Sequence, residues 1–319
     1  MAIETHVHDG TDYRKLKSWY VHDGSAWRDL KKAYCHDGTD WRLVFQKLDW
    51  VLVGQSLGGV RHITSLSGVK YASSDSSGLH YLDGSTWTKI GSRIGAQNAI
   101  ESSGTVYSSF RPIGYPEVGG IHYVSGGSLI KLGTNSRSFW VADVGGVIYG
   151  AFYFDRFYTD YEGILRWDGS NWTKVGGYGN AIYVLYSGGT LYSVFNQTTA
   201  DGVFYWTGSA WSKLGSLTGV YKISDISGVL YASTSVGVYY WSGGTWTRLG
   251  SSTTTCQHIA YISSKICAAF NNGFWFYNSG TWERLGSAMS VYWIQEIDGY
   301  IHCATTSGVY YWPVPIADM

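Results

Sequence analysis

The sequence has no excess of charge of either sign. Lys plus Arg number 23 and Asp plus Glu also number 23, so the formal net charge is zero, and only 14% of the 319 residues are charged. Proteins that hold nucleic acid or an anionic membrane surface need a positive excess. The composition therefore predicts no nucleic-acid partner.

Long apolar segments and patterned cysteines are also missing. No apolar run approaches the roughly 20 residues of a membrane span, and the first ten residues have neither the basic start nor the apolar stretch of a secretory signal. Cysteines stand only at 35, 256, 267 and 303, without zinc-type or disulfide-type spacing. We expect no membrane insertion, and buried cysteines in a chain made in a reducing cytoplasm.

Glycine and aromatic residues are abundant instead. The chain has 42 Gly, 16 Trp, 27 Tyr and 11 Phe, and 45% of its residues are hydrophobic. This composition favours strands and tight turns over helices and provides for a large core. The sequence therefore predicts an all-β protein.

Residues 1–48 differ from the rest of the chain, because they carry 15 of its 46 charged residues. Three 14-residue units begin at Val7, Val21 and Cys35, each with a His-Asp-Gly element followed by Tyr-Arg or Trp-Arg. Asp-Gly between strand-type residues is a strong hairpin signal. We predict a β-hairpin repeat region over 1–48 that serves anchoring or oligomerisation, because isolated hairpins are marginally stable.

Residues 49–319 repeat with a period of 35 to 43. One unit, 220–251, divides into four short strands with Gly-rich turns, as in a β-propeller blade. Two glycine markers each occur seven times, one opening the third strand and one ending the fourth: 78, 120, 163, 202, 237, 273 and 308, and 54, 91, 133, 176, 215, 250 and 286. Seven blades are predicted.

The two ends of this region complete each other. Residues 50–54 form a fourth strand that precedes any whole blade, whereas the last blade stops after its third strand, 308–312. We therefore predict a seven-bladed β-propeller with four-stranded blades, closed by strand 50–54 pairing with strand 308–312, which removes the open sheet edges.

The tryptophans of the fourth strands have two interpretations. They stand at 87, 172, 211, 246 and 282, with Leu129 in the second blade. Either the rings pack between neighbouring sheets, which we favour, or they stack on sugars in the clefts between blades. Catalytic and phosphate-binding motifs are absent, as is the dinucleotide fingerprint. We expect no enzymatic activity, no cofactor and no metal site.

Insertions between second and third strands set three blades apart, at 110–119, 152–162 and 196–201. The third-blade insertion is dense in aromatic residues with Asp and Arg among them, which suits recognition of carbohydrate or protein. The alternative is a hairpin extension that caps its own blade. The predicted ligand-binding residues on this face are Tyr115, Tyr153, Arg156, Tyr158 and Tyr161.

The tandem units resemble short repeats of tail and fibre proteins of tailed bacteriophages. The residues that carry this resemblance are His8-Asp9-Gly10, His22-Asp23-Gly24 with Trp27-Arg28, and His36-Asp37-Gly38 with Trp41-Arg42. The blades are similar to those of lectin-like propellers, which are ring-shaped sugar binders. No ligand residue transfers by motif.

These resemblances imply a virion protein of the tail or fibre, assembled in the host cytoplasm. Its expected partners are other tail proteins, a host cell-surface glycan or protein, and copies of itself, with a trimer as the guess by analogy with fibres. Two alternatives stay open. One is a purely structural virion propeller that contacts neighbouring subunits, and the other is a cellular lectin with no virion role.

Overall fold

The computed structural model describes residues 49–112, 119–134, 137–153, 162–196 and 201–314 in full, together with the backbone of six strands between residues 6 and 46. All regular elements in these ranges are β-strands. Within the described ranges there is accordingly no helix with the length and hydropathy to cross a membrane.

Each 14-residue unit forms an antiparallel pair of strands, as predicted. The pairs are His6–His8 with Tyr13–Lys15, Tyr20–His22 with Trp27–Asp29, and Lys32–His36 with Trp41–Gln46. The register sets His8 opposite Tyr13 and His22 opposite Trp27. The Asp-Gly turns and all side chains of this region lie outside the described residues.

Seven four-stranded antiparallel sheets follow, and in six of them the strands lie in chain order. The first three blades comprise Val60–Leu66, Val69–Ser74, Gly78–Asp83 and Thr86–Lys89; Ala96–Ser102, Thr105–Phe110, Gly120–Ser125 and Ser128–Lys131; and Ser138–Val144, Val147–Phe152, Gly163–Trp167 and Trp172–Lys174. The next three comprise Ala181–Ser187, Thr190–Asn196, Asp201–Trp206 and Trp211–Lys213; Val220–Ile226, Val229–Thr234, Gly237–Ser242 and Thr245–Arg248; and Cys256–Ile262, Lys265–Phe270, Gly273–Asn278 and Thr281–Leu285.

The seventh blade is built from both ends of the propeller. Val291–Ile297, Tyr300–Thr305 and Val309–Tyr311 come from the C-terminal side, and Val51–Leu52 supplies the fourth strand. Val51 pairs with Tyr311 and Leu52 with Tyr310, and the Val53 amide donates to the Val309 carbonyl at 2.8 Å. The predicted closure and the blade number are confirmed.

The first strand of every blade is the innermost strand, and the seven lie side by side in a closed ring around a central channel. The fourth residue of each inner strand belongs to the buried hydrophobic core, and none is more than 2% exposed: Ile63, Ala99, Val141, Val184, Ile223, Ile259 and Ile294. Burying one such aliphatic side chain contributes about 1.5–3 kcal/mol. The ring is thus stabilised along its whole circumference.

Fourth-strand tryptophans join neighbouring blades at the outer edge. Each indole Nε1 donates to the carbonyl that precedes the terminal glycine of the preceding blade's fourth strand, at 2.7–3.1 Å: Trp50 to Leu285, Trp87 to Val53, Trp172 to Leu132, Trp211 to Val175, Trp246 to Leu214 and Trp282 to Leu249. The packing interpretation is confirmed. Trp50, which we had not assigned to this series, is the member from the seventh blade.

The tryptophans also explain the glycine that ends the fourth strand in six of the seven blades. A Cβ on Gly176 would stand 2.6 Å from Cδ1 of Trp211 in the next blade. Real carbon atoms do not approach so closely, so a side chain at this position would push the ring out of the seam. The predicted marker is therefore a packing requirement between blades.

The glycine that opens each third strand has a different role. Gly202 has a φ of +122°, and a Cβ there would lie 2.2 Å from the Leu217 carbonyl oxygen in the loop to the next blade. An L-residue would be strained in this backbone conformation and would also collide with that loop. The position is therefore restricted to glycine on both grounds.

Cys256, Cys267 and Cys303 are buried free thiols, as predicted. Burial raises the pKa of Cys267 to about 12, so this thiol is protonated and unreactive at neutral pH. The Cys35 side chain lies outside the described residues.

The insertions lie between second and third strands, as predicted. The strand bounds leave 111–119, 153–162 and 197–200 in the second, third and fourth blades, against two or three residues in the others. Because all neighbouring strands are antiparallel, loops after second and fourth strands share one face of the ring. We call it the insertion face.

Candidate functional site: the channel mouth on the insertion face

Every inner strand has the same irregularity near its start. The pairing with the second strand shifts register between its first and third residues, as between Val60 and His62, and the six other blades repeat the shift. A β-bulge of this kind re-aims side chains. Side chains of both the second and the third residue therefore line the channel, as Tyr221 and Lys222 do.

The third residues meet on the axis and form a plug across the channel. These seven residues are His62, Asn98, Trp140, Tyr183, Lys222, His258 and Trp293. The Trp140 and Trp293 ring centroids are 5.4 Å apart, and Tyr183 lies 4.5 Å from Trp140. His258 stacks on Trp293 at 3.4 Å. The plug separates two cavities, one at each mouth of the channel.

Asn98 differs from the other plug residues, because its side chain forms hydrogen bonds with the neighbouring inner strand instead of occupying the channel axis. Its Nδ2 donates to the Val141 carbonyl at 2.9 Å, and its Oδ1 accepts from the Val141 amide at 3.0 Å. The Ser109 hydroxyl donates to the same oxygen at 2.6 Å. Asn98 therefore joins the inner strands of the second and third blades, where a buried amide must have its hydrogen bonds satisfied.

The cavity on the insertion face has a volume of about 430 Å³, within the usual range of small-molecule sites. Aromatic, amide and cationic side chains converge on it. The lining residues are Arg61, Gln97, Phe139, Trp140, Tyr153, Ile182, Asn196, Tyr221, Lys222, Gln257 and Tyr292. Such a mixture of ring surfaces with a few polar groups is typical of a ligand site.

Asp75 binds two arginines at the edge of this mouth. Its carboxylate accepts hydrogen bonds from Arg61, Arg111 and Gln97 at 2.5–3.0 Å, and its side chain is 9% exposed. Burial alone would raise its pKa, but the hydrogen bonds and charges of Arg111 and Arg61 outweigh that effect and hold the pKa below its usual value. Two arginines thus share one ionised carboxylate, which leaves a positive excess.

Lys222 lies at the floor of the mouth, half-buried between the two plug tryptophans. Its Nζ stands 4.6 Å from the Trp293 ring centroid and 5.4 Å from that of Trp140. Burial, and secondarily the charge of Arg61, lower the pKa of Lys222 to about 7. A lysine that lies in a cavity and has a pKa close to neutral pH is a candidate functional residue.

Of the predicted site residues, the structure describes the position of Tyr153. Tyr153 lines the cavity, and its ring packs edge-on against Phe139 at 5.4 Å. Tyr115, Arg156, Tyr158 and Tyr161 lie outside the described residues. The structure therefore places the beginning of the third-blade insertion at the channel mouth.

Sequence reasoning missed the channel-lining side chains themselves. Lys222, Arg61 and Trp140 occupy the second or third position of inner strands, and the seven repeats could have been aligned on those positions. The repeat alone does not indicate that the bulge turns both positions toward the axis. Asp75, in a short turn, carried no sequence signal.

The opposite mouth differs in chemistry. Its cavity of about 680 Å³ is lined by carboxylates of Glu101, Asp225 and Glu296, together with aliphatic residues and Tyr261, which is 53% exposed. A third cavity, of about 690 Å³, lies in the seam between the third and fourth blades and includes Trp206 and Lys174. The mouth on the insertion face thus differs from the opposite mouth in its positive charge, and from the seam cavity in having a half-buried cation, Lys222, where the seam has the exposed Arg166 and Lys174.

The chain forms a closed seven-bladed β-propeller with a plugged channel, and its fold is similar to that of several solved structures. The chain matches the extracellular domain of a proposed one-component system of B. thetaiotaomicron with a TM-score of 0.69 at 9% identity, over 83% of this chain and 40% of that one. It matches the GH74 xyloglucanase of Xanthomonas campestris with a TM-score of 0.62 at 14% identity, over 83% and 53%.

PorZ, a surface component of the type-IX secretion system of Porphyromonas gingivalis, is a further match, with a TM-score of 0.58 at 11% identity over 94% of this chain and 55% of that one. The chain spans about half or less of each of these proteins. No known protein family and no curated protein matches the sequence. Identities this low show a shared fold and leave function to the site.

Proposed function

We propose that the protein is a non-enzymatic virion protein of a tailed bacteriophage. Its N-terminal hairpin units anchor it in the tail or hold its copies together, and its propeller binds a glycan of the host surface. The tandem His-Asp-Gly-x-x-Trp-Arg units support the virion assignment. The observation that carries the binding function is the aromatic and cationic mouth on the face that bears the insertions.

The chemistry of this mouth supports binding rather than hydrolysis. Glycosidases generally need two carboxyl groups, one of them protonated. Among the described residues that line the cavity there is no carboxylate, and Asp75 at its edge is ionised and occupied by two arginines. These groups suit the holding of a sugar, and the described lining does not supply the pair of carboxyl groups that a glycosidase uses.

A second candidate, a purely structural virion propeller, is favoured by the opposite mouth. Tyr261 is 53% exposed there, beside the carboxylates of Glu101, Asp225 and Glu296. Exposed aromatic residues rimmed by charge are typical of protein contacts. In this alternative a neighbouring subunit covers that mouth, and the insertion face binds no receptor.

One experiment separates the alternatives. Purified tailed particles are labelled with antibodies against the full chain, and the full chain is tested for its ability to slow adsorption of those particles to their host bacterium. We expect labelled tails and slower adsorption. A variant with a short Gly-Ser turn in place of residues 154–161 should enter particles and fail to compete.

The negative results are equally distinct. If the chain is missing from particles but binds glycans, the protein is a cellular lectin. If it is present in particles and neither the chain nor the variant changes adsorption, the propeller is structural.

A further inference from the structure

The insertion-side mouth holds an ammonium group that no carboxylate of the described residues neutralises. We propose that this mouth binds the carboxylate of an acidic sugar and that Lys222 is the residue that pairs with it. The inference rests on the proposed function and deepens it, because it names the chemical class of the glycan.

The surroundings of Lys222 leave its hydrogen-bond donors open. The side chain has ring faces of Trp293 and Trp140 beneath it, and it makes no hydrogen bond or ion pair with any described residue. Cation–π contacts of this kind contribute about 0.5–2 kcal/mol. An ammonium has three N–H donors, and a charge-assisted bond to a carboxylate satisfies them better than a ring face.

The charge around the mouth favours an anion. Arg61 and Arg111 share the single carboxylate of Asp75, so this cluster keeps one net positive charge. Arg61 also lies 4.2 Å over the Tyr292 ring, which holds its guanidinium at the cavity wall. A concave site lined with one sign of charge concentrates ligands of the opposite sign.

The walls favour a sugar over a bare anion. Phe139, Tyr153 and Tyr292 present ring surfaces against which the C–H face of a pyranose packs, and Asn196 and Gln257 supply amide groups for hydroxyls. Aromatic walls with a few placed polar groups fix the orientation of a small molecule. A ligand with one carboxylate and one apolar ring face uses both features.

The donor set favours a carboxylate over a phosphate. A phosphate dianion is usually held by several cationic or backbone N–H donors at once. Here the two arginines are committed to Asp75, and Lys222 is the one charged group at the floor among the described residues. A single ammonium matches a single carboxylate charge.

The test uses the full chain and three soluble probes at pH 6.5, namely D-glucuronate, D-glucose and glucose 6-phosphate, with affinities from titration calorimetry or ligand-observed NMR. We expect glucuronate to bind at least about tenfold more tightly than glucose, a difference on the scale of one charged pair, and more tightly than glucose 6-phosphate.

Lys222→Met keeps the length of the side chain and removes its charge. It should retain the wild-type melting temperature or exceed it, because it removes a half-buried charge, and should lose the preference for glucuronate over glucose. Lys174→Met, which removes a cation from the seam cavity, is the matched control and should change nothing. Tyr153→Ser, at the rim and outside any strand, should weaken binding of glucuronate without unfolding the blade.

The outcomes separate this inference from the proposed function. Equal affinity for glucose and glucuronate, tighter binding of glucose 6-phosphate, unchanged binding by Lys222→Met, or no binding of any probe would each overturn the acidic-sugar site. An array on which the chain binds only neutral glycans would overturn it and leave receptor binding standing. Lys222-dependent glucuronate binding by a chain that is missing from particles would support the site and reject the virion role.

Discussion

The outer and inner edges of the blades use the same sevenfold repeat in opposite ways. At the outer edge, one position is Trp in six blades and Leu129 in the second blade, and each Trp makes the same hydrogen bond to the neighbouring blade. At the inner edge, the third residue of the first strand varies from blade to blade, and five residue types occur there.

Geometry accounts for this difference. The fourth-strand positions lie far from one another, so the same side chain can pack in the same way at each seam between blades. Inner positions converge on one axis, where seven identical large side chains cannot pack without collisions or voids. The repeated contacts at the outer edge therefore stabilise the ring, and the varied side chains at the inner edge can form a specific site.

The largest expected effect comes from breaking the seam at its closure. Deletion of residues 48–54 removes the pairing with Tyr310 and Tyr311 and the Trp50 bond to Leu285, and exposes a sheet edge. We expect aggregation or loss of the cooperative thermal transition, measured by size-exclusion chromatography and calorimetry.

The control is the double variant Val51→Ser and Leu52→Ser, which keeps the backbone strand; both side chains are more than a third exposed. It should stay near wild type, and a soluble, normally melting deletion variant would contradict the closure.

The next largest effect is expected when a seam tryptophan is replaced, and it can be compared with replacement of the leucine at the same position of the second blade. Trp211 is 5% exposed and donates to the Val175 carbonyl at 2.7 Å, so Trp211→Ala should lower the free energy of unfolding by about 3–5 kcal/mol. Leu129 is half-buried and lacks the hydrogen bond, and Leu129→Ala should cost about 1–2 kcal/mol. Urea unfolding measures both. Equal costs would show that the indole bond contributes nothing to the seams.

Acid should act on the plug through its buried histidines, whereas the seam tryptophans do not titrate. Burial, with the charge of Lys222, lowers the pKa of His62 to about 3, against about 6.5 in the unfolded chain. The unfolded state therefore binds the extra proton between those values, and stability is lost as the pH falls below about 6.5. By pH 5 the loss is about 2 kcal/mol for each such histidine.

His62→Asn, which introduces the residue found at this position in the second blade, tests that expectation. The variant should be less sensitive than wild type to a shift from pH 7.5 to pH 5, by about 2 kcal/mol in urea unfolding. Trp211→Ala should show the wild-type pH dependence. An identical pH dependence for His62→Asn and wild type would place the acid-sensitive groups outside the plug.

Much of the fold was predictable because its determinants are local or periodic. Two glycine markers count the blades, since one avoids the neighbouring Trp, as Gly176 does, and the other adopts a backbone conformation suited to glycine, as Gly202 does. The incomplete first and last units predict the closure. The 14-residue units predict their own hairpins, since strand pairing across a short turn involves only adjacent residues.

The candidate site was only partly predictable, because its residues come from distant parts of the chain. The sequence predicts recognition on the face of the insertions, and Tyr153 lies on that face at the channel mouth. Nothing in the sequence joins Asp75 to Arg111, or Lys222 to Trp140 and Trp293. Ring closure alone brings these residues together.

The all-β class, the seven blades, their strand order and the closing strand follow from the sequence alone, because repeats and turn residues act over a few residues at a time. The contacts on the axis exist only in the closed ring: a plug of unlike side chains, a basic mouth on one face and an acidic mouth on the other. Inner strands from all round the ring bring side chains to a common point on the axis, so the chemistry of that point is a property of the closed ring rather than of any single repeat.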